Sequence, residues 1–558
     1  MLNLLRSIIK KENIPIILVL FLAAFMRFYR IGAYLTFLGD EGRDVLVAMH
    51  ILRGDLTLLG PTASVGGFFL GPIYYYFMAP FLWLFNYNPV GPAVMVALVG
   101  IATVWLVYQI TKDNFGYIPA LIASLLYAIS PLVITYSRSS WNPNVVPFFS
   151  LLMMYLLSHA VMNKSVPKLM LAGVLFGILL QLHYLSTFLG VVVFFYLLAT
   201  TFVQTKTQLS HRILTLLMRY VLFALGTLVG WSPFLAFEVR HGFPNIRSIL
   251  TFVFTSGDTG NNTKFMATAQ DVFLRIFGRL LLSFPKPEDM HFFSSNIISI
   301  WSLAAYLIGI GSLVYIIIKI VHSYRKKEKN MYFSLLLVLW LMLTVFLFGF
   351  YKKSIYDYYL GIVFPVPFIL LASLLSPLLK KGRIVVVSVL VLVAFGIWLN
   401  IYFRPITFPQ DYIGYNPSLF NTLFSYPRTS TPNDQLKQVQ DISEFVLAKT
   451  GGKPYNFAVI SSGGNSDFAY RFFFERVNKP PVTIQFPGAD PERKTITDQL
   501  LIVCESVPCH PLGYPLWEVA GFGQAEIAGE WNVSVLKVYR LIHIAKSLTC
   551  SPGKTCDF

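Results

Sequence analysis

Charge is scarce in this sequence, and cysteine is absent until residue 504. Asp, Glu, Lys and Arg make up 13% of the 558 residues, about half the share of an ordinary globular protein. That shortage excludes a conventional soluble surface over most of the length, and the 55% apolar content is a membrane composition. Acidic residues are scarcest in the first part: residues 1–403 hold 30 Lys and Arg against 13 Asp and Glu, whereas residues 404–558 hold 14 of each. The basic excess therefore lies wholly in the apolar part. The neutral remainder has no basic soluble face, so a nucleic-acid partner is not expected. There is also no P-loop, no dinucleotide fingerprint and no nucleotide-sugar-binding cytosolic domain. Any donor substrate must then come from the membrane or from beyond it.

What the sequence has in abundance is long apolar runs. The first starts near Ile14, behind Arg6, Lys10 and Lys11, lacks a small-residue cleavage site, and reads as an uncleaved signal anchor. A polar stretch over 39–67 follows. Residues 68–85 are apolar and aromatic but broken by Gly71, Pro72 and Pro80, which predicts a half-embedded interfacial segment. Spans are expected at roughly 89–111, 116–136, 145–162, 169–185, 187–204, 214–236, 297–320, 331–350, 359–379 and 384–403, each near the twenty residues a bilayer requires. With the first run that makes about eleven. An inside N-terminus places Lys112, Lys164, Lys168, Lys206, Arg212, Arg325, Lys326, Lys327, Lys329, Lys380, Lys381 and Arg383 in inside turns, while nearly every acid of this part falls outside. The expectation is a multi-pass inner (plasma) membrane protein with a cytoplasmic N-terminus and an extracytoplasmic C-terminal part.

Residues 404–432 are rich in Pro, Tyr, Ser and Thr and read as a linker. Beyond it, the pattern predicts a small α/β domain: helices over 434–449 and 467–477, buried strands over 457–460 and 500–503, and a further strand over 533–542. All four cysteines lie here, in two close pairs, Cys504 with Cys509 and Cys550 with Cys556. Zinc is the rival reading, but neither pair has a two-residue spacing, and two local disulfides fit an oxidising compartment better.

Polar residues gather in the outside loops. Gly39-Asp40-Glu41-Gly42-Arg43-Asp44 could be solvated loop charge, yet acids held at a bilayer surface are costly unless used or paired, and a carboxylate here could deprotonate a hydroxyl. Arg138, Trp141 and Asn142 sit where turn and helix-start chemistry would also place them; functionally, the arginine suits a phosphate and the others a sugar. His183 and Tyr184 end an apolar helix, where a lone histidine is more often a satisfied core residue than a ligand. Glu238, Arg240 and His241 open a long outside loop reaching to about residue 296. Lys352, Lys353, Asp357 and Tyr358 form the last cluster, and two lysines outside break the charge rule, as an anionic lipid headgroup would explain.

In order and topology these pieces resemble the GT-C membrane glycosyltransferases, specifically the protein O-mannosyltransferase and aminoarabinose-transferase-like group of glycosyltransferase family 39 and its neighbours. The resemblance rests on the Asp40–Glu41 pair followed by Arg43, on Leu70-Gly71-Pro72-Ile73-Tyr74-Tyr75-Tyr76, on Ser130-Pro131 ahead of Ser137-Arg138, and on a soluble domain after the last span. It covers most of residues 1–403 and implies a polytopic α-helical GT-C transmembrane domain there, while the extracytoplasmic α/β domain expected over 433–558 rests on its own pattern and on the charge sorting. It also implies sugar transfer, with inversion, from a polyprenyl-phosphate-linked donor to a hydroxyl on a protein, lipid or glycan. Carried over, Asp40 is the general base with Glu41 beside it, and Arg138, Arg240, Lys352 and Lys353 are candidates to hold the leaving phosphate. Two departures bear on cofactors: Phe69, Leu70 and Gly71 stand where relatives often have a His or an acid, and 137–144 lacks an acidic pair. No obligatory cofactor is therefore expected, and the resemblance leaves a divalent metal open. The rival classes are a lipid-linked-sugar transporter, which needs polar residues through the membrane depth, and a non-catalytic membrane scaffold.

Overall fold

The computed structural model describes residues 13–63, 65–204, 208–255, 263–282, 295–378, 434–461, 466–505, 509–534 and 536–544. The expected span over 384–403, the linker, and Cys550 with Cys556 lie outside them. The chain divides into two compact units, Met1–Leu35 with Ala48–Asn433, and Thr36–Val47 with Asp434–Phe558.

The first unit is helical. Among the described residues, six helices are long and apolar enough to cross a membrane: Val90–Phe115, Asn142–Asn163, Tyr184–Gln204, Leu209–Gly230, Ile298–Arg325 and Asn330–Gly349. Five shorter apolar helices accompany them, Ile14–Phe28, Ile73–Leu84, Tyr117–Ile129, Val166–Leu182 and Val366–Leu375. Helices are the solution because a lipid core offers no partner for backbone N–H and C=O groups. The elements differ from the expected spans where the chain breaks them. Ser130 and Pro131 split the expected 116–136 span into Tyr117–Ile129 and Pro131–Tyr136. The run expected over 359–379 begins as a 3-10 turn, Asp357–Ile362, before Val366–Leu375. The expected long loop after residue 242 is largely helical, with Pro244–Phe254 and Phe265–Leu274 leading into a wide π turn at Arg275–Arg279.

Two helices pack backbone to backbone. Gly173 and Gly177 face Gly226 and Gly230, and a Cβ on these four would strike the carbonyls of Phe223, Thr227, Met170 and Val174 respectively. Lipid gives no hydrophobic push between helices, so close van der Waals approach through small residues is what joins them. Gln181 then donates to the Gly230 carbonyl at 2.6 Å, and its side chain fills the space a Cβ on Gly71 would need. The juxtamembrane turn Leu70-Gly71-Pro72 is thereby seated on this helix pair.

The second unit is a four-stranded sheet, β1 Asn456–Ile460, β2 Gln499–Cys504, β3 Ala525–Val533 and β4 Leu536–His543, in the order β1-β2-β4-β3. β1 and β2 are parallel and the other pairs antiparallel. Every residue of β1 and β2 is buried, as expected of strands covered on both faces. Helix Phe468–Arg476 crosses between them and packs Tyr470 and Phe474 on Phe457. Asn456, wholly buried, uses its amide fully, donating to Val482 and Thr495 carbonyls and accepting from Thr497. β3 was not expected from the sequence, since its residues are mostly exposed and it carries Glu526 and Glu530. Cys504 and Cys509 are joined by a disulfide.

Candidate functional site

The polar stretch after Leu38 is not a loop but the start of a helix, Gly39–Leu52. Both glycines of its acidic motif are at contacts: a Cβ on Gly42 would strike the backbone of Ala469, and one on Gly39 would sit 2.6 Å from Ser466 Oγ. Phe37 adds edge-on contacts with Phe472 and Phe473 at 6.3 and 5.9 Å, and its N–H donates to Gln435. Within this frame the acids take different roles. Glu41 is buried and accepts the Leu38 N–H at 3.2 Å, so the third residue of the helix caps the residue before it. Asp40 is half exposed, its side chain at 54%, and accepts from Arg43 Nη1 at 2.9 Å. Arg43 also grips Asp44, whose side chain is fully buried. Arg43 is therefore a brace between two carboxylates.

Burial pushes the Glu41 carboxyl up to about 7, and the neighbouring Asp40 and Asp44 charges add to the effect. A carboxyl with a raised folded value contributes stability that is complete below its ordinary value of 4.5 and is lost as pH rises through about 7. Glu41→Gln removes the ionisation while keeping an acceptor for Leu38. Its thermal stability relative to wild type is expected to rise between pH 5 and pH 8, by about 2–3 kcal/mol. A difference that stays flat over that range would show that Glu41 is not a buried titrating acid.

The first unit holds the other candidates. Arg138 is 2% exposed, with Nε donating to the Met26 carbonyl at 3.0 Å, Nη2 to the Tyr29 carbonyl at 3.4 Å, and its guanidinium 4.5 Å from the Tyr34 ring. That geometry is a brace on the first helix. Asn142 donates to the Leu182 carbonyl at 2.6 Å, closing the end of helix Val166–Leu182. His183 is buried and accepts the Leu185 N–H through Nδ1. Glu238, also buried, accepts from Asn245 and from the Ile246 N–H. Arg240 and His241 are exposed in the last turn of helix Ser232–His241, which also carries Glu238, with the His241 ring stacked on Phe237. Lys352 and Lys353 are exposed.

Trp141, His183, Tyr184 and Tyr358 do come together. The Trp141 and Tyr358 rings lie 4.4 Å apart, His183 is stacked on Tyr184 at 4.8 Å and approaches Tyr358 at 5.9 Å, and the Tyr184 and Tyr351 hydroxyls meet at 2.9 Å. Beside them Asp357 binds two arginines that sequence reasoning missed. Arg275 reaches Asp357 at 3.1 Å and Asp271 at 2.8 Å, and Arg279 forms a short ion pair with Asp357. Arg279 is 7% exposed, yet its Nε and Nη1 have no hydrogen-bond partner among the described residues. A buried guanidinium with idle donors is costly unless an anion or water completes it. The signal was present: two arginines four apart in the otherwise apolar run 272–282.

Tyr184 and Tyr351 also line an adjoining apolar cavity of about 480 Å³, walled further by Phe68, Phe252, Trp231 and Leu347. Its lining is almost wholly hydrocarbon and aromatic, which suits an aliphatic chain. Among the described residues no three His, Cys, Asp or Glu side chains gather as metal ligands.

The first unit is thus a bundle of apolar helices with an apolar cavity and buried arginines, and comparison with known proteins says what the chain is similar to. Residues 70–231 match the family described as dolichyl-phosphate-mannose-protein mannosyltransferase. Over 163 residues the chain is 28% identical to "Putative mannosyltransferase YycA" of Bacillus subtilis, a match covering 29% of this chain and 23% of that protein. The chain thus spans under a quarter of that relative. In fold it is similar to ArnT from Cupriavidus metallidurans bound to undecaprenyl phosphate, with a TM-score of 0.56, 12% identity, and coverage of 94% of this chain and 97% of that one. Against the apo state of ArnT the TM-score is 0.55, with 95% and 98% covered. The resemblance to GT-C glycosyltransferases of the family 39 kind is borne out by both the matched segment and the fold. Arg138, Trp141, Asn142, His183 and Tyr184 fall inside the matched segment; Asp40, Arg279 and Asp357 fall outside it.

Proposed function

We propose that this chain transfers a sugar from a polyprenyl-phosphate-linked donor to a hydroxyl of a protein, lipid or glycan on the extracytoplasmic face, with inversion. The observation that carries the reading is that one helical unit holds both an apolar cavity, lined by Tyr184 and Tyr351, and the buried, incompletely bonded Arg279. A polyprenyl chain and its phosphate are one molecule with those two ends. The matched mannosyltransferase segment and an ArnT-like fold support the same reading. In the proposed reaction the acceptor hydroxyl attacks the anomeric carbon as a carboxylate base takes its proton, the role that the family resemblance, rather than any geometry between the two units, gives to Asp40. The bond from that carbon to the phosphate oxygen breaks, and the arginine holds the negative charge that collects on the phosphate. Trp141 and Tyr358 offer aromatic faces for the sugar. Charge sorting of the loops supports an extracytoplasmic active face, with Asp40, Arg279 and Lys352 on that side.

The test is mass spectrometry of proteins and envelope glycans from cells with and without this chain, joined to a vesicle assay with polyprenyl-phosphate sugars. A missing hexose or pentose, with release of polyprenyl phosphate by the purified protein, is the expected result. Movement of intact lipid-linked sugar across the vesicle, without cleavage, would establish the transporter reading instead.

A further inference from the structure

We propose that Glu238 and Asn245 are positioning residues that set the width of the apolar cavity, through a hydrogen-bonded relay ending on the backbone of Phe69. The inference rests on the proposal that this cavity takes the donor's lipid. The walls come from separate stretches of chain. One is the juxtamembrane stretch Phe68, Phe69 and Leu70, and another is helix Pro244–Phe254, which presents Ile249, Phe252 and Val253.

Asn245, 4% exposed, joins those two walls. Its Oδ1 accepts the Phe69 N–H at 2.9 Å, while its Nδ2 donates to Glu238 Oε1 at 2.8 Å. The other Glu238 oxygen accepts the Ile246 N–H at 2.9 Å. A carboxylate thus sits on the first turn of helix Pro244–Phe254, where free N–H groups and the helix dipole both favour it. The relay brings Phe68 against Phe252 at 6.4 Å and against Tyr184 at 6.1 Å. Helix Pro244–Phe254 is the wall that this relay ties. It follows its predecessor through Gly242 and Phe243, both left-handed at φ +75° and +64°, and its outer side is apolar, with Leu250 and Phe254 50% and 77% exposed. A turn of two left-handed residues holds direction poorly without a tie, and Glu238 with Asn245 supplies one. A cavity already at the right width spares the lipid the cost of ordering its walls.

The probe is undecaprenyl phosphate, binding to the purified full chain in detergent, alongside donor kinetics. Asn245→Ala is expected to weaken undecaprenyl phosphate binding and raise the donor KM by about ten- to thirtyfold, with kcat within about threefold of wild type. The double variant with Glu238→Gln should lose little more than the worse single variant, because both act in one relay. Leu250→Ala, on the outer side of the same helix, should change neither value. If Asn245→Ala does not fold, Glu238→Gln gives the same readout. Wild type that fails to bind undecaprenyl phosphate would sink the donor reading. Wild type that binds it, with both variants binding equally well or losing only kcat, would overturn the relay.

Discussion

Asp40→Asn is expected to lose turnover by about a hundred- to ten-thousandfold while the protein still inserts and binds lipid donor. An acceptor hydroxyl is a weak nucleophile until its proton is taken, and a positioned carboxylate supplies the base. Asparagine has nearly the same shape and can still accept from Arg43, whose Nη1 lies 2.9 Å from Asp40 Oδ1. It cannot take a proton. Of the three acids at this helix start, Asp40 is the one left available. The Asp44 side chain is fully buried against Arg43, and Glu41 is buried with one oxygen on the Leu38 N–H. Glu41→Gln keeps that cap and should cost turnover less than tenfold. The measurement is single-turnover transfer for both variants, with donor binding checked separately. Near-normal transfer by Asp40→Asn together with loss in Glu41→Gln would move the base to Glu41. Activity in both would remove this helix from the chemistry.

Much of the fold was legible because bilayer physics writes itself into composition. A lipid-facing helix must be apolar over about twenty residues, and Val90–Phe115 or Asn330–Gly349 can hardly be read otherwise. The buried strands β1 and β2 were equally plain as short apolar runs. Helix Gly39–Leu52 was not, because Asp40, Glu41, Arg43 and Asp44 crowd its first turns and imitate a solvated loop. Its buried stripe, Val45, Leu46, Ala48 and Met49, is too short to outweigh them. β3 escaped for the opposite reason, since an edge strand with exposed faces need not be apolar.

The site was less legible than the fold, and the reason is where its side chains find their partners. Arg138 looks like a phosphate ligand in sequence, and two of its nitrogens meet the carbonyls of Met26 and Tyr29, more than a hundred residues away. Glu238 and Asn142 likewise spend their polar atoms on backbone or on a neighbouring amide. No local pattern encodes a carbonyl contributed by a distant helix end. The clustering of Trp141, His183, Tyr184 and Tyr358 was anticipated only as separate loop groups. Their union depends on the 3-10 turn at Asp357–Ile362, which brings Asp357 and Tyr358 to the end of another helix.

Arg279 carries the second large expected effect. Two of its donors are buried and unbonded among the described residues, and its third group is held by Asp357, which also binds Arg275. This shared aspartate fixes the guanidinium without using it up. An arginine so placed is prepared before the donor arrives, and preorganised donors are worth most where charge develops in a water-poor site. When the sugar–phosphate bond breaks, charge collects on the phosphate, so Arg279 should lower the barrier rather than tighten the ground state alone. Arg279→Ala is expected to cut kcat by about a hundred- to a thousandfold. Arg279→Lys keeps the charge but not the planar fork, and should recover only a small part of that loss. Asp357→Asn frees both arginines to turn, and should fall between the two. Arg240→Ala and the double variant of Lys352 and Lys353 to Ala serve as comparisons, since those exposed cations are the rival phosphate ligands. Single-turnover rates with a fixed polyprenyl-phosphate sugar decide among them. A normal rate for Arg279→Ala with a collapsed rate for Arg240→Ala would place the leaving phosphate at the exposed arginine, and the idle donors of Arg279 would then belong to ordered water.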